Sequence, residues 1–308
     1  MYYFIVNPNS RSGYGKKIWN SLKRELKKEK IPYKACLTKY AGHGRKLSRS
    51  LLEQSNEHIK LAVLGGDGTL NEVLDGITDP ARVHLFYIPT GSGNDFARGI
   101  LLPCDPKEAC RLLLCSSRIF PMDIGSVTIR GTSHRFGVST GIGFDAAICH
   151  EALTSPLKTM LNRIHLGKLT YAVIAVKQLI LCRPADFEFF LDQKTRKICK
   201  KAYFAAIMNL PYEGGGIPFC PKARPDDQML DVCCICGVGK IRFLFLLLAC
   251  VMGKHENFRN VHIFHCQSIK IKSSIPLPVH LDGESGGTQS EIFVKLEKEP
   301  FNVILPMI

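Results

Sequence analysis

Leu64-Gly65-Gly66-Asp67-Gly68-Thr69 decides the reading of this chain. Lys60-Leu61-Ala62-Val63-Leu64, just before and into it, is the short apolar run of a buried strand. Leu70-Asn71-Glu72-Val73-Leu74 then resumes with helical spacing. A strand that breaks on glycines into a helix N-terminus presents backbone N–H groups, which is where anions bind. An acid planted among those donors is costly unless it meets a cation or a transferable proton. Strand, glycines, acid and helix together point to phosphate chemistry.

Working outward, the first 125 residues alternate strand and helix patterns. Tyr2 to Val6 is an apolar run, and Ile18, Leu22 and Leu26 repeat at helical spacing after it. Tyr33 to Leu37 reads as a second strand, Leu47 with Leu51 as a second helix, and Leu85 to Ile88 as a strand parallel to Leu61–Leu64. Such alternation implies a mainly parallel sheet with helices on its faces, and ligands bind where the loops gather at the strands' carboxyl ends. Those loops are Asn7 to Lys16, Gly65 to Thr69 and Pro89 to Asp95. All three are polar and glycine-rich.

After Asp123 the texture becomes β-rich. Ser126–Arg130, Arg135–Ser139, Asp186–Leu191, Ala202–Met208, Leu230–Ile235, Ser268–Ile271, Pro278–Leu281, Ile292–Leu296 and Asn302–Leu305 read as short strands. Leu157–Leu181 and Ile241–Met252 read as helical insertions. Many short strands with turns between them indicate an antiparallel sandwich or barrel.

Composition narrows the function classes. The chain has 308 residues, 45% hydrophobic and 22% charged, which fits a globular protein with two cores. Its longest apolar stretch, Phe243 to Met252, is about half of what a membrane span needs. The start, MYYFIVNPNS, reads as a strand and turn rather than a signal peptide, so the expectation is a cytoplasmic protein. Thirteen scattered cysteines then imply free thiols. Cys233 and Cys236 form the one Cys-x-x-Cys, inside an apolar strand, and read as buried strand residues rather than zinc ligands. His262, His265 and Cys266, on another strand-like segment, are read the same way.

A net charge of +14 implies an anionic partner. No nucleic-acid motif is present, which leaves phosphorylated small molecules or an anionic membrane surface. Lys168 and Lys177 flank Leu169–Leu181, and Lys240, Arg242 and Lys254 flank Phe243–Met252. Apolar helices edged by cations suit an anionic leaflet, but they equally suit core-packed helices with basic ends.

Four further motifs bear on chemistry. Asn7-Pro8-Asn9-Ser10-Arg11-Ser12-Gly13-Tyr14-Gly15-Lys16 opens the first helix without the spacing of a Walker loop. Pro89-Thr90-Gly91-Ser92-Gly93-Asn94-Asp95-Phe96-Ala97 is a second small-residue loop, in which Asn94 or Asp95 is placed to cap a helix. Gly141-Ile142-Gly143-Phe144-Asp145-Ala146 lacks a βαβ context and reads as a tight turn before a helix. Leu281-Asp282-Gly283-Glu284 is an acidic turn, a surface hairpin unless the fold brings it to Asp67.

Taken together, Asn-Pro…Gly-x-Gly-Lys, GGDGTLNE (65–72), PTGSGNDFA (89–97), GFDA (143–146), NLPYEGGG (209–216), Pro221 to Asp231 and DGE (282–284) resemble the diacylglycerol kinase catalytic-domain family. Its members include bacterial lipid kinases, and it is related to sphingosine and ceramide kinases. GGDGT also occurs in NAD kinases; the second-half motifs are what separate the lipid kinases.

The resemblance implies a fold and a set of roles. The fold is a Rossmann-like, NAD kinase/phosphofructokinase-like α/β nucleotide-binding domain (1–124, rejoined by 297–308) plus an antiparallel β-sandwich domain for the lipid (125–296). ATP would contact Asn7, Pro8, Gly13, Lys16, Thr38, Gly65, Gly66, Gly68, Thr69, Asn71, Glu72 and Ser92. Asp67 matches the essential acid, joined by Asp95 and Asp123 in a Mg²⁺–water network. Glu284 matches the general base, although it and Asp67 could exchange roles. Asp227, with the carbonyls of Arg224 and Met229, matches a structural Mg²⁺ site. This chain has Gln228 where the family has a glycine of positive φ, and Arg11-Ser12 adds residues before Gly13.

The expected activity is ATP- and Mg²⁺-dependent phosphorylation of a lipid hydroxyl, diacylglycerol first, at the inner face of the membrane. A sphingoid base, a polyprenol, NAD, or a non-catalytic binding role are the alternatives, and paired strand edges would allow a homodimer.

Overall fold

The computed structural model describes residues 1–55, 57–113, 117–154 and 167–307. Its first elements are β1 (Tyr2–Val6), α1 (Ser10–Lys28), β2 (Tyr33–Leu37), α2 (His43–Glu53), β3 (Ile59–Gly65) and α3 (Asp67–Gly76). Next come β4 (Val83–Pro89), α4 (Asp95–Gly99), α5 (Pro106–Leu113), β5 (Ser117–Met122), β6 (Gly125–Ile129), β7 (Thr132–Phe136) and β8 (Ser139–Gly143). The chain continues with α6 (Phe144–Thr154), α7 (Gly167–Leu181), β9 (Ala185–Leu191), β10 (Thr195–Met208), β11 (Leu230–Cys236) and α8 (Lys240–Val251). It ends with β12 (Val261–Cys266), β13 (Ser268–Leu281), β14 (Glu284–Leu296) and β15 (Phe301–Pro306).

The first sheet runs β2-β1-β3-β4-β15-β5. β1 to β4 and β15 are parallel, and β5 lies antiparallel to β15. Leu61–Leu64 of β3 and Leu85–Ile88 of β4 are apolar at successive positions because both faces are covered there. Leu61 and Val63 of β3, Leu85 and Tyr87 of β4 and Phe301 and Val303 of β15 pack with Leu70, Val73 and Leu74 of α3. Ala62, Leu64, Phe86 and Ile88 on the other face pack with Ile18, Trp19 and Leu22 of α1 and Ala109 and Leu113 of α5. The three glycine-rich loops therefore leave the same edge, at the carboxyl ends of β1, β3 and β4.

The second sheet runs β12-β11-β10-β8-β13-β14-β6-β7. β9 pairs with Thr195–Ala202 of β10 and with Ile269–Ser273 of β13, while β8 pairs with the later stretches of both strands. β8 and β9 thus share one slot between two long strands, with register shifts where one takes over from the other. Those irregularities bend the sheet around Val127, Phe136, Phe187, Phe189, Ile269 and Val294. Its other face is covered by α6 and α8, where Tyr203 stacks on Phe243 at 3.9 Å between ring centroids.

Several expected boundaries move. Arg135–Ser139 is not one strand: β7 ends at Phe136 and β8 begins at Ser139. The amides of Gly137, Val138 and Ser139 all donate to the Asp282 carboxylate, so a side chain takes the donors a ladder would use. The two strands expected at 268–271 and 278–281 are the single bent β13. β5 carries no clear periodicity, whereas α5 buries Pro106, Ala109, Cys110 and Leu113 at helical spacing; neither is among the elements expected above. Positions 157–166 of the expected helical insertion lie outside the described residues, as does the side chain of Lys168. Every described cysteine is a free thiol, as the composition implied.

The C-terminal strand is the element on which the first sheet closes. Phe301 is fully buried between α3 and the sheet. Phe301→Ala should destabilise the protein by about 3–5 kcal/mol, read as a shift of the urea unfolding midpoint; a shift corresponding to under ~1 kcal/mol would show that β15 is dispensable.

Candidate active site

Asp67 is the first residue of α3, and its carboxylate serves another helix. Asp67 Oδ2 accepts the backbone N–H of Asp95 at 3.2 Å and Oδ1 accepts that of Phe96 at 3.4 Å. The expected cap is thereby corrected: neither Asn94 nor Asp95 caps α4 with its own side chain. Asn94 stands at positive φ and folds its amide back on Gly91, so the first turn of α4 is left for Asp67. Tyr87, fully buried, aims its hydroxyl at the same carboxylate at 3.4 Å. Burial, reinforced by the nearby Asp95 carboxylate, pushes the Asp67 pKa up to about 6.

Asp95 is the second buried acid of the site. Its Oδ1 pairs with Arg98 and its Oδ2 accepts the Gly215 amide at 2.7 Å. A Cβ on Gly93 would lie 3.3 Å from Asp67 Oδ2 and 3.4 Å from Asp95 Oδ2, so one oxygen of each acid faces the same small space. Burial raises the Asp95 pKa as well, with the Gly215 amide and Arg98 working against it.

The third acid comes from the other sheet. Glu284 opens β14, and its Oε1 would stand 2.5 Å from a Cβ placed on Gly68. A Cβ at 68 would displace that carboxylate from its place beside the first turn of α3. The turn that delivers Glu284 is held by Asp282, whose carboxylate accepts Gly137 N at 2.8 Å, Val138 N at 2.8 Å, Ser139 N at 2.9 Å and Asn71 Nδ2 at 2.9 Å. Just before it, His280 is fully buried between Glu213 at 3.1 Å and Asp145 at 3.3 Å. Burial disfavours the charged ring, but Glu213 outweighs it, with Asp145 assisting, and holds the His280 pKa well above its ordinary value. The acidic turn was the only sequence signal for this layer; nothing in the sequence paired His280 with Glu213 and Asp145.

The nucleotide-side residues gather where expected, with two different duties. Asn7 donates to Thr69 Oγ1 at 2.9 Å, the buried Ser10 and Thr90 hydroxyls meet at 2.7 Å, and the Thr90 amide donates to the Gly65 carbonyl at 2.7 Å. A Cβ on Gly91 would lie 2.8 Å from the Gly66 Cα, so the two loops touch through backbone alone. Pro8 accepts the Lys16 amide, Lys16 itself is exposed, and Thr38 donates its amide to Val6. Arg11, Ser12 and Gly13 all stand at positive φ, which is how the inserted residues are taken up at the mouth of α1. Ser92 lies exposed in the 90–94 loop. Glu72, however, accepts the amides of Gly42 and Gly44 at 2.6 and 2.9 Å, which anchors the loop after β2 and caps α2. Asn71 also donates to the Arg135 carbonyl, so it ties α3 to the second sheet.

Asp123 lies with the 224–229 turn. Its Oδ2 accepts the Gln228 amide at 2.7 Å and its own amide donates to Pro225. Gln228 has φ +59, the left-handed conformation that the expected glycine would have taken. Asp227 accepts the Met229 amide at 3.0 Å, and Arg224 pairs with Asp226. The acids therefore fall into two groups: Asp67, Asp95 and Glu284 at the glycine loop, and Asp123, Asp226 and Asp227 at the turn.

The chain matches two family models end to end. Residues 1–127 match the diacylglycerol kinase catalytic domain, and residues 139–304 match the YegS C-terminal NAD kinase beta sandwich-like domain. It is 30% identical over 296 residues, covering 93% of this chain and 94% of the other, to the Bacillus subtilis protein YtlR, which bears a provisional lipid-kinase name. It is 28% identical to a Bacillus subtilis diacylglycerol kinase over 79% of this chain and 76% of that one. In fold it resembles the crystal structure of a diacylglycerol kinase from Bacillus anthracis, with a TM-score of 0.69 at 21% identity over 98% of this chain and 95% of that one.

Gly68 separates stability from chemistry in a testable way. It sits inside a helix, where alanine is favoured over glycine by up to about 1 kcal/mol, yet its missing Cβ is what admits Glu284. Gly68→Ala should leave the thermal midpoint unchanged or raised while lowering turnover at least tenfold. Full activity in that variant would show that Glu284 has no work at this spot.

Proposed function

The chain belongs to the diacylglycerol kinase catalytic-domain family and is a lipid kinase phosphotransferase, and from that premise we propose that it transfers the γ-phosphoryl group of ATP to the hydroxyl of diacylglycerol, giving phosphatidic acid. The observation that carries the reading is the meeting of Glu284 with Gly68 beside Asp67, which joins the lipid-kinase half of the chain to the glycine loop. In this reading 1–124 with 297–308 binds ATP and 125–296 binds the lipid. Diacylglycerol is favoured because a Bacillus subtilis relative matched over 79% of this chain carries that name.

The roles follow from the chemistry each residue can perform. The lipid hydroxyl gives its proton to Glu284 as its oxygen attacks the γ-phosphorus, and the bond to the bridging oxygen breaks to release ADP. Such a positioned base typically contributes about 10²–10⁴-fold. Phosphoryl transfer otherwise needs positioning and charge stabilisation, which suits the amides of Gly66 and Gly68 at the start of α3 and the Asn7–Thr69 pair. Asp67 and Asp95 supply hard oxygen donors toward one space, and burial raises both pKa values while Arg98 meets Asp95 alone, so the pair fits Mg²⁺. Mg²⁺ bound there would screen the phosphate charge. Asp123 and Asp227, with the carbonyls of Arg224 and Met229, would hold a structural Mg²⁺ away from the reacting atoms.

A lipid substrate must be met at a surface. No helix among the described residues is long and apolar enough to cross a membrane. α8 instead exposes Ile241 at 79%, Phe245 at 68% and Met252 at 63%, and α7 exposes Ile180 at 67%. Lys240 ties the two helices by donating to the Ile180 carbonyl. An exposed apolar ridge edged by Lys240, Arg242 and Lys254 on a chain of charge +14 supports docking on an anionic leaflet.

Labelled ATP with Mg²⁺ and a panel of diacylglycerol, a sphingoid base, a polyprenol and NAD tests the reading directly. Diacylglycerol should be the best acceptor, and Asp67→Asn and Glu284→Gln should each lower turnover at least a hundredfold without lowering the thermal midpoint by more than a few degrees. Phosphorylation of NAD alone, or near-normal turnover in both variants, overturns it. The docking surface is tested apart from catalysis: Ile241→Asp with Phe245→Asp should cut sedimentation with phosphatidylglycerol vesicles at least tenfold and leave activity on detergent-dispersed lipid intact. Unchanged sedimentation would place the membrane contact elsewhere.

A further inference from the structure

The second sheet holds a cluster of soft donors that the kinase reading does not use. At one end of β10, β11 and β12, the Sγ atoms of Cys199 and Cys236 and a ring nitrogen of His262 all lie within 4.8 Å of one another. Cys234 precedes Cys236 by two residues on the same face of β11 and stands opposite His262 in the ladder. The three thiols are close enough to perturb one another electrostatically, and His262 acts on Cys236. Cys199 reaches them through the register shift between Cys199 and Ala202, where Lys201 takes positive φ. All three cysteines are buried, and His262 is half-buried, which leaves a route from solvent.

Buried cysteines usually act as small apolar side chains, and the sequence alone read these that way. Two thiols and an imidazole gathered within 4.8 Å, with a third buried thiol next to them on the same strand face, is a different arrangement, because packing alone does not require ligand atoms to collect at one end of a sheet. Disulfide chemistry does not account for it either. Cys234 and Cys236 are neighbours on one strand face, with Cβ atoms about 6.5–7 Å apart, while a disulfide needs roughly 3.5–4.5 Å. Any pairing with Cys199 leaves a thiol over. A tetrahedral ion with Zn–S near about 2.3 Å and Zn–N near about 2.0 Å needs donors roughly 3.5–3.8 Å apart, which small side-chain adjustments within a 4.8 Å cluster supply.

We infer that Cys199, Cys234, Cys236 and His262 form a structural zinc site that fastens β10, β11 and β12 together. Binding displaces the thiol protons to solvent, so affinity rises with pH. S₃N donation selects Zn²⁺ over the hard cations used by the kinase centre.

Metal analysis of the full chain, purified reduced and without chelators, tests this independently of catalysis. Zinc should copurify at about one ion per chain, and Co²⁺ added to the demetallated protein should give tetrahedral ligand-field bands with thiolate charge transfer. Cys199→Ser, Cys236→Ser and His262→Ala should each lower zinc occupancy at least tenfold, while Cys36→Ser and Cys149→Ser retain it. A wild-type protein that takes up no zinc and shows no cobalt–thiolate band overturns the inference, even where the variants fail to fold. Full zinc in a Cys199→Ser, Cys236→Ser double variant overturns it equally.

Discussion

Everything at the candidate centre hangs from the Asp282 carboxylate. It accepts three successive amides, Gly137 to Ser139, and the Asn71 side chain, so one buried group joins the β7–β8 turn, α3 and the β13–β14 turn. Hydrogen bonds to a charged acceptor contribute about 1.5–3 kcal/mol each, and a set this dense leaves the turn little freedom. The register of that turn fixes where Glu284 emerges, two residues on. Because Asn71 stands four residues after Asp67 on the same helix face, the knot that sets Glu284 also sets its distance from the glycine loop. The buried ion cluster of His280 with Glu213 and Asp145 secures the strand end from which the turn springs.

The arrangement costs stability where it serves chemistry. Asp67 ionises at about 6 in the folded chain against 3.8 for an ordinary aspartate. The folded state therefore keeps this proton to higher pH than the unfolded chain does, and stability falls as pH rises from about 4 to 6. Above that range the ionised carboxylate costs roughly 3 kcal/mol. The first turn of α4 lowers the cost by donating two amides, and Arg98 neutralises the neighbouring Asp95. What remains is a pair of acids with one oxygen each aimed at a shared space, a charge imbalance that only a bound cation or proton removes.

The legible part of the fold was the part governed by local pattern. β3 and β4 announce themselves as apolar runs leading into glycine-rich loops because both of their faces are buried. The positive φ at Gln228 was not local information: it keeps the conformation of the glycine that the family resemblance implies there. What escaped was long-range. Nothing near residue 95 says that Asp67 will cap α4, and nothing near residue 72 says that Glu72 will serve α2. The split of the acids into two groups depends on the 224–229 turn reaching Asp123 across a hundred residues. Strand boundaries failed at 135–139 because a distant carboxylate took the local amides.

That division explains why the two halves of the chain carry unequal information about activity. The glycine loop supplies amides and two acids, which suffice to hold a phosphate but are common to kinases of soluble substrates. Glu284 comes from the other sheet and sets its carboxylate against the bare Cα of residue 68. On the kinase reading, the base therefore travels with the lipid-binding sheet and the phosphate with the nucleotide-binding sheet, and turnover depends on the contact between them. α3 is the shared element: its first turn faces the phosphate, and Asn71 and Asp75 bind Asp282, Arg135 and His134 of the second sheet. A rigid helix gripped from both sides holds a base and an electrophile in register more firmly than two loops could, because neither sheet can shift without breaking buried hydrogen bonds.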